Sequence, residues 1–272
     1  MDEPEVSKPQ AWLPLTPRGV AAFSTASCGR VILFQAVVAV LAAAIVVWSL
    51  RMAWFPAFET AIGNLPDAGD IRVGLLDWRG PETAKLAETH FLAITVNLSG
   101  SDQPRTTSHV QLELRARTFR IDSLLGTTEH VYPGRSITPL NRPELQPRWS
   151  AWQLPACALA GIAVVVALFI SWFLLATVYC LPAWLGACFA NRDLTLAGSW
   201  KLCSAGLLPG ALFLCAGIWA YGAGTFDLVK LTLVFAMHFI IPWLFIAAAI
   251  WALRRDPKAG SPRANPFQQP VK

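Results

Sequence analysis

The chain has 272 residues, of which 54% are hydrophobic and only 14% are charged. Soluble globular domains carry about 25% charged residues, so this composition excludes an ordinary soluble domain. The net charge of +5 comes from the termini and one short loop, so we expect no nucleic-acid partner.

The cysteines predict neither a disulfide framework nor a metal or redox centre. None lies between Met52 and Ala151, the most polar part of the chain, and no CxxC pair occurs. We therefore predict no metal and no cofactor. The six are Cys28, Cys157, Cys180, Cys188, Cys203 and Cys215.

Four apolar runs predict four membrane-spanning helices. Each is about 20 residues or longer, and a rise of ~1.5 Å per residue carries such a helix across a ~30 Å hydrocarbon core. The first run is too long for a cleaved signal sequence and predicts a signal anchor. The runs are Val31–Leu50, Leu154–Leu181, Cys203–Gly222 and Val229–Leu253.

The predicted fold is therefore a four-span α-helical bundle with a small α+β domain, mainly antiparallel, inserted between helices 1 and 2. Residues 1–30 form a cytoplasmic tail with an interfacial helix over Thr16–Arg30. Residues 31–54 form helix 1, 55–150 the extracytoplasmic domain, 151–253 helices 2–4, and 254–272 a disordered cytoplasmic tail. Both tails are rich in proline.

Alternation of apolar and polar residues predicts strands in the inserted domain. Residues 70–78 predict one strand. Leu92–Leu98 predict a half-buried strand, and Val110–Leu114 another. The apolar parity then changes, which requires a turn or bulge near Ala116–Thr118. A short amphipathic helix is predicted before them, from Phe55, Phe58, Ile62 and Leu65, and an extended return to the membrane after them, over residues 132–147.

Pro182 is predicted to end or kink the second helix. Residues 183–190 then lie at the cytoplasmic interface, pack under the bundle, or add a membrane segment.

Positive charge predicts the orientation. Positively charged residues lie before the first helix, in the loop between helices 2 and 3, and after helix 4. An even number of spans places these three segments on the same side of the membrane. The positive-inside rule makes that side cytoplasmic, which predicts a multi-pass protein of the cell (inner) membrane. The residues are Lys8, Arg18, Arg30, Arg192, Lys201, Arg254, Arg255, Lys258, Arg263 and Lys272.

Short motifs resemble a class of uncharacterised bacterial inner-membrane proteins. They are Leu65-Pro66 with Ile71-x-x-Gly74-Leu75, Asn191-Arg192-Asp193, and Pro209-Gly210. Such proteins, annotated only as domains of unknown function, have an extracytoplasmic insert after the first helix and a Yip1-like helical bundle. The resemblance implies the topology above and no catalytic residues.

His238 is the candidate ionisable site within a span. Pro242, four residues later, removes the amide that would bond the His238 carbonyl. A proton or ligand site is one interpretation. A neutral histidine bonded to a neighbouring helix is the favoured one, because no span holds an acidic partner.

Helix 3 contains Gly206 and Gly210 with Pro209 between them. Close helix packing is favoured over a broken helix that lines a transport path.

Asn191, Arg192 and Asp193 lie in the loop between helices 2 and 3. They are interpreted as a turn with a helix cap and a positive-inside anchor; the alternative is a site for lipid headgroups or a partner.

The histidines of the inserted domain, His90, His109 and His130, are spread along the sequence, and no HExxH spacing occurs. We interpret them as surface or strand-face residues, and with no nucleophile elbow or phosphate loop we predict no enzyme.

The leading functional hypothesis is a non-enzymatic membrane protein that senses, binds or assembles with a partner through its extracytoplasmic domain. Its partners are the lipid bilayer and a membrane or envelope protein, or further copies of itself. The alternative is a small oligomeric transporter or channel that uses the kinked helices 3 and 4.

Overall fold

The computed structural model describes residues 13–100, 106–124, 126–134 and 137–255. Most of the residues in the tails that are predicted to be disordered lie outside these ranges.

The described residues contain six α-helices. Two are short: α1, Pro17–Ala22, and α3, Phe55–Gly63. A 3₁₀ turn, Phe23–Thr25, follows α1. A π-helical turn, Leu50–Trp54, joins α2 to α3. The long helices are α2 (Cys28–Ser49), α4 (Arg142–Phe189), α5 (Leu196–Gly222) and α6 (Leu228–Ala252).

Within the described ranges, four helical segments are long and apolar enough to cross a membrane, which agrees with the number predicted from the sequence. They are Cys28–Gly63, Arg142–Phe189, Leu196–Gly222 and Leu228–Ala252. The first includes α2, the π-helical turn and α3, so the predicted helix after the first span is present and continuous with it.

The helix of the second span extends beyond the predicted span at both ends. Residues 142–147 are helical rather than extended, and the domain limit at 150/151 falls inside α4. Pro182 does not end the helix either, since α4 continues to Phe189. The proline removes one hydrogen bond, but Ala183 and Ala187 beyond it are buried in a hydrophobic core, which favours continued helix.

The contacts divide the described residues into two compact units. The first contains those within 1–42, 165–214 and 235–272, and the second those within 43–164 and 215–234. Both units therefore include parts of the long helices.

The core of the first unit is helical. Its most buried large side chains include Phe23, Leu202, Leu208 and Ile246. Val20 and Phe23 are both 0% exposed. The predicted helix after Thr16 is therefore present as α1, with Thr16 as its N-cap, but its apolar side chains are buried in a protein core.

The described residues of the second unit form eight strands in two sheets. One sheet has the order β2-β1-β8 and the other β3-β4-β5-β6-β7. The pairs are antiparallel except β4 with β5, which are parallel. The strands are β1 (Gly69–Arg72), β2 (Leu75–Trp78), β3 (Thr83–Glu88), β4 (Leu92–Asn97), β5 (Val110–Leu114), β6 (Thr118–Ser123), β7 (Gly126–Val131) and β8 (Thr138–Pro139).

The predictions at β4, at β5 and for the turn before β6 agree with the structure, but three details differ. Residues 70–78 form a hairpin, because Val73 and Gly74 both have positive φ and reverse the chain. The β4–β5 pair makes the large sheet mixed rather than antiparallel. Strand β4 is buried on both faces rather than half-buried, since it is an inner strand of the sheet.

One face of the large sheet packs on α3. Ala57, Ala61 and Leu65 lie against apolar side chains of β3 and β4. The opposite face carries buried polar groups, Asn97 and Glu113 among them. The Asn97 side-chain amide donates to the Glu113 carboxylate at 2.7 Å, and the Arg115 Nε donates to the same oxygen at 3.1 Å. This pairing compensates the buried charge.

Candidate functional site

Two histidines that are distant in sequence meet at one end of the large sheet. His90 lies in the turn between β3 and β4, and His109 immediately precedes β5. Their ring centroids are 4.3 Å apart. His90 is exposed and His109 is half-buried. The interpretation as surface or strand-face residues did not include a contact between His90 and His109, whereas His130 lies on β7, where it stacks on Phe119.

Backbone hydrogen bonds fix this pair. The amide of His109 donates to the carbonyl of His90 at 3.1 Å, and the amide of Val110 donates to that of Phe91 at 3.0 Å. Thr89 closes the turn, because its hydroxyl oxygen accepts the Leu92 amide at 3.1 Å. The parallel register, which pairs Leu92 with Val110, continues these contacts into the sheet. The two rings are therefore held side by side by backbone geometry.

Tyr221, near the end of α5, completes the cluster. Its hydroxyl lies 3.1 Å from the His109 Nδ1, and the two rings are stacked with centroids 5.5 Å apart. Phe91 packs edge-on against Tyr221 at 5.1 Å. Phe91 and Tyr221 are both buried, together with Ala53 of the π-helical turn. We call His90, Phe91, His109 and Tyr221 the histidine cluster.

Charges around the histidine cluster act in opposite directions. Burial lowers the pKa of His109, the neighbouring His90 lowers it further, and Asp227 raises it. Asp227 precedes α6 and accepts the backbone amide of Lys230 at 2.8 Å. That hydrogen bond is the main cause that lowers the pKa of Asp227, with the Lys230 ammonium 3.4 Å away as a further one.

The arrangement places a titratable side chain in the contact between the sheet and α5. In the part of the chain that the structure describes, no three or more His, Cys, Asp or Glu side chains are placed to hold one metal ion. Protonation of the His109 imidazole would place a positive charge next to the buried Tyr221. Proton uptake would therefore weaken the contact between the sheet and α5.

The residues singled out in helices 3 and 4 meet in the first unit. Gly210 of α5 faces the backbone of α6: a Cβ built on it would lie 2.6 Å from the His238 carbonyl oxygen and 2.9 Å from the Pro242 ring. A Cβ on Gly206 would lie 2.7 Å from Ile246. Pro209 stays within α5, which is not broken there. The His238 Nδ1 is bonded to the Phe235 carbonyl of its own helix rather than to a neighbouring helix.

The Asn191-Arg192-Asp193 segment ends α4. Asn191 has a φ of 52°, and its amide and that of Arg192 donate to the Cys188 and Ala187 carbonyls, which is a Schellman termination. The Arg192 guanidinium donates to the Leu253 carbonyl at 2.7 Å, and the Asp193 amide to that of Arg254 at 3.1 Å. This segment therefore also holds the end of α6. Among the contacts of the described residues, none joins it to Gly210 or His238.

The histidine cluster was not predicted from the sequence because it depends on how the strands pair. Alternation revealed β4 and β5 but not their relative direction. A parallel pair starting at Leu92 and Val110 would have placed the residues before each strand side by side. Tyr221 carried no signal, since an aromatic residue at a helix end is typical of a membrane interface.

No family model, no curated protein and no solved structure matches the chain. The resemblance to inner-membrane proteins stays a prediction.

Proposed function

We propose that the chain is a non-enzymatic integral protein of the cell (inner) membrane, with both termini in the cytoplasm and the β-rich domain outside. Exposed apolar surface supports insertion. In the most apolar 18-residue window of α4 only 6% of the residues are buried. Side chains such as Leu159, Ile162 and Phe173 are at least 60% exposed. Surface of this extent is stable against lipid or another membrane helix, not against water.

The role proposed for the β-rich domain is sensing or partner binding. The histidine cluster carries this proposal, because it connects titratable groups at the end of the sheet to Tyr221 of α5. A ligand or a change of pH that alters the turn at His90 would alter a contact made by a membrane helix. Its partners would be a membrane or envelope protein, or further copies of the chain.

Topology is tested with reporters. One fused after Lys272 should report the cytoplasm, and one inserted between Gly100 and Ser101 should report the outside. If both report the same compartment, the four-span arrangement is wrong.

The sensing role is tested by pH. Since the pKa of His109 is lowered in the folded state, the unfolded chain binds the proton more readily. The resulting loss of stability is absent at a pH well above the pKa of this histidine in the unfolded chain, near 6.5. It grows as the pH falls through that pKa. We expect the melting temperature of the purified protein to fall between pH 8 and pH 5, and to fall less in His109→Gln.

His130→Gln is the matched control, because His130 lies outside the histidine cluster, and it should behave as the wild type. An identical pH profile for wild type and His109→Gln would contradict the sensing role. Partner binding is measured separately: a pull-down from native membranes should recover a stoichiometric partner or an oligomer. A monomer without partners in gentle detergent would count against it.

A further inference from the structure

A groove lies between the continuous helix of α2, the π-helical turn and α3 on one side and α4 on the other. It is an open groove with a volume of about 640 Å³. Ala44, Trp48, Met52, Phe55 and Glu59 recur at intervals of three or four residues, so they line one face of that helix. All of these residues belong to the second unit.

The lining of the groove changes from apolar to charged along its length. Ala44, Val47 and Trp48 line one part, whereas Arg51, Glu59 and Gln153 supply its polar groups. A smaller cavity of about 240 Å³ adjoins it, shares Glu59 and Gln153, and is lined mostly by polar side chains. An amphipathic ligand would match this division.

Arg51 supplies the positive charge. It follows the last residue of the first apolar run, at one end of the predicted span, and lies in the π-helical turn. Among the residues that the structure describes, no carboxylate pairs with its guanidinium. A guanidinium is the preferred partner of a phosphate, which it can bind through two parallel hydrogen bonds.

Glu59 supplies the negative charge. One of its carboxylate oxygens accepts a hydrogen bond from the Gln153 amide at 2.6 Å, and this fixes the side chain in the groove. Eight residues, or about 12 Å of helix, separate Glu59 from Arg51. A ligand with a phosphate and a primary ammonium would complement both.

We propose that this groove binds a phospholipid with an ammonium headgroup, such as phosphatidylethanolamine. The phosphate lies on Arg51, the ammonium on Glu59, and an acyl chain along Ala44, Val47 and Trp48. The inference rests on the proposed insertion in the membrane and adds a specific lipid site to it. Choline lipids offer no N–H donor to Glu59, and a phosphoglycerol headgroup offers no cation.

The test uses the full chain, purified in detergent, with lipid binding measured by native mass spectrometry and by thermal shift. Phosphatidylethanolamine should bind the wild type more tightly than phosphatidylcholine or phosphatidylglycerol. Arg51→Gln should bind it about tenfold more weakly, because one charge-assisted contact is lost. Glu59→Gln should lose the preference over phosphatidylcholine. Arg148→Gln is the control, since Arg148 lies on α4 outside both cavities, and it should bind as the wild type does.

Equal binding by Arg51→Gln and wild type would overturn the proposal, as would equal binding of ethanolamine and choline lipids. Stabilisation by inorganic phosphate alone, to the same extent, would show a phosphate site rather than a lipid site. Arg51→Lys should keep part of the affinity, which separates loss of charge from misfolding. If the reporters give the proposed topology but no lipid preference is found, only the lipid site fails. If the reporters do not give the proposed topology, the membrane proposal itself fails.

Discussion

Helices α5 and α4 are both long and apolar, yet they have opposite surroundings. In the most apolar window of α5, 61% of the residues are buried, against 6% for α4. The buried residues of α5 include Ser199, Ser204, Ala205 and Gly206, whose small side chains let neighbouring helices approach closely. Leu and Phe side chains extend outward from much of α4.

This difference shows that apolarity alone does not identify the central helix of a bundle. In lipid, burying a leucine against another helix gains little, because acyl chains are equally apolar. Because a much larger share of α5 is buried, we expect substitutions to affect α5 far more than α4.

Gly210→Leu should have the largest effect. The added side chain meets the His238 carbonyl and the Pro242 ring, and neither can move without displacing α6. We expect a loss of about 3 kcal/mol or more, seen as failure to accumulate or as a lower melting temperature in detergent. Gly206→Leu meets a side chain, the buried Ile246, rather than backbone, and it should have a smaller effect of the same sign.

Gly186→Ala in α4 is the matched control for these two. A Cβ on Gly186 would lie 3.9 Å from the Ile250 side chain, which is an ordinary van der Waals contact. Alanine also has a higher helix propensity than glycine. It should be neutral or slightly stabilising. If Gly210→Leu and Gly186→Ala had the same melting temperature in detergent, the expected difference between α5 and α4 would be wrong.

Leu208→Ala should lower stability by about 2 kcal/mol, because Leu208 is 1% exposed and its removal leaves a cavity. Leu159→Ala, at 68% exposure on α4, should change it by no more than about 0.5 kcal/mol. Both are measured by thermal denaturation in the same detergent. Equal losses would indicate that α4 is covered by a partner helix under those conditions.

Arg192→Gln should cost about 1 kcal/mol, because it weakens the hydrogen bond to the Leu253 carbonyl at the end of α6. The measurement is thermostability in detergent, with Arg79→Gln, which removes an exposed ion pair with Asp77, as the reference. If the two variants melt alike, the end of α4 is not a point of attachment.

His238→Ala should have the smallest effect, at most the ~0.6 kcal/mol average of an intramembrane hydrogen bond. Its Nδ1 bonds only within α6 in the contacts described. A variant of normal thermostability and accumulation that has lost the cellular phenotype would instead favour transport through α5 and α6.

Much of the helical part could be predicted from the sequence, because an apolar run of 20 residues has few alternative structures. The ends could not. Pro182 costs one hydrogen bond locally, and whether the helix continues depends on the burial of Ala183 and Ala187, which is a tertiary effect.

Strands β4 and β5 could be predicted from the sequence, but the sheet they belong to could not. Alternation at Val110–Leu114 identified β5, and its polar residues would be assigned to solvent. Gln111 and Glu113 are instead buried on the face away from α3, where Asn97 and Arg115 pair with Glu113. Strand β7, whose six residues are all exposed, has no apolar face to recognise. The pairing of β4 with β5, and with it the histidine cluster, depends on long-range contacts that alternation does not encode.

The π-helical turn at Leu50–Trp54 has a consequence for how this chain tolerates changes of length. A π-helical turn accommodates one residue more than regular α-helix, and it keeps the helices on either side in phase. Deleting one residue elsewhere in α2 would rotate all that follows by about 100° and turn Ala57 and Ala61 away from the sheet. Deleting the exposed Met52 would instead convert the turn to ordinary helix and leave α3 correctly oriented. Between Cys28 and Gly63, this turn is where a single-residue deletion would do the least harm.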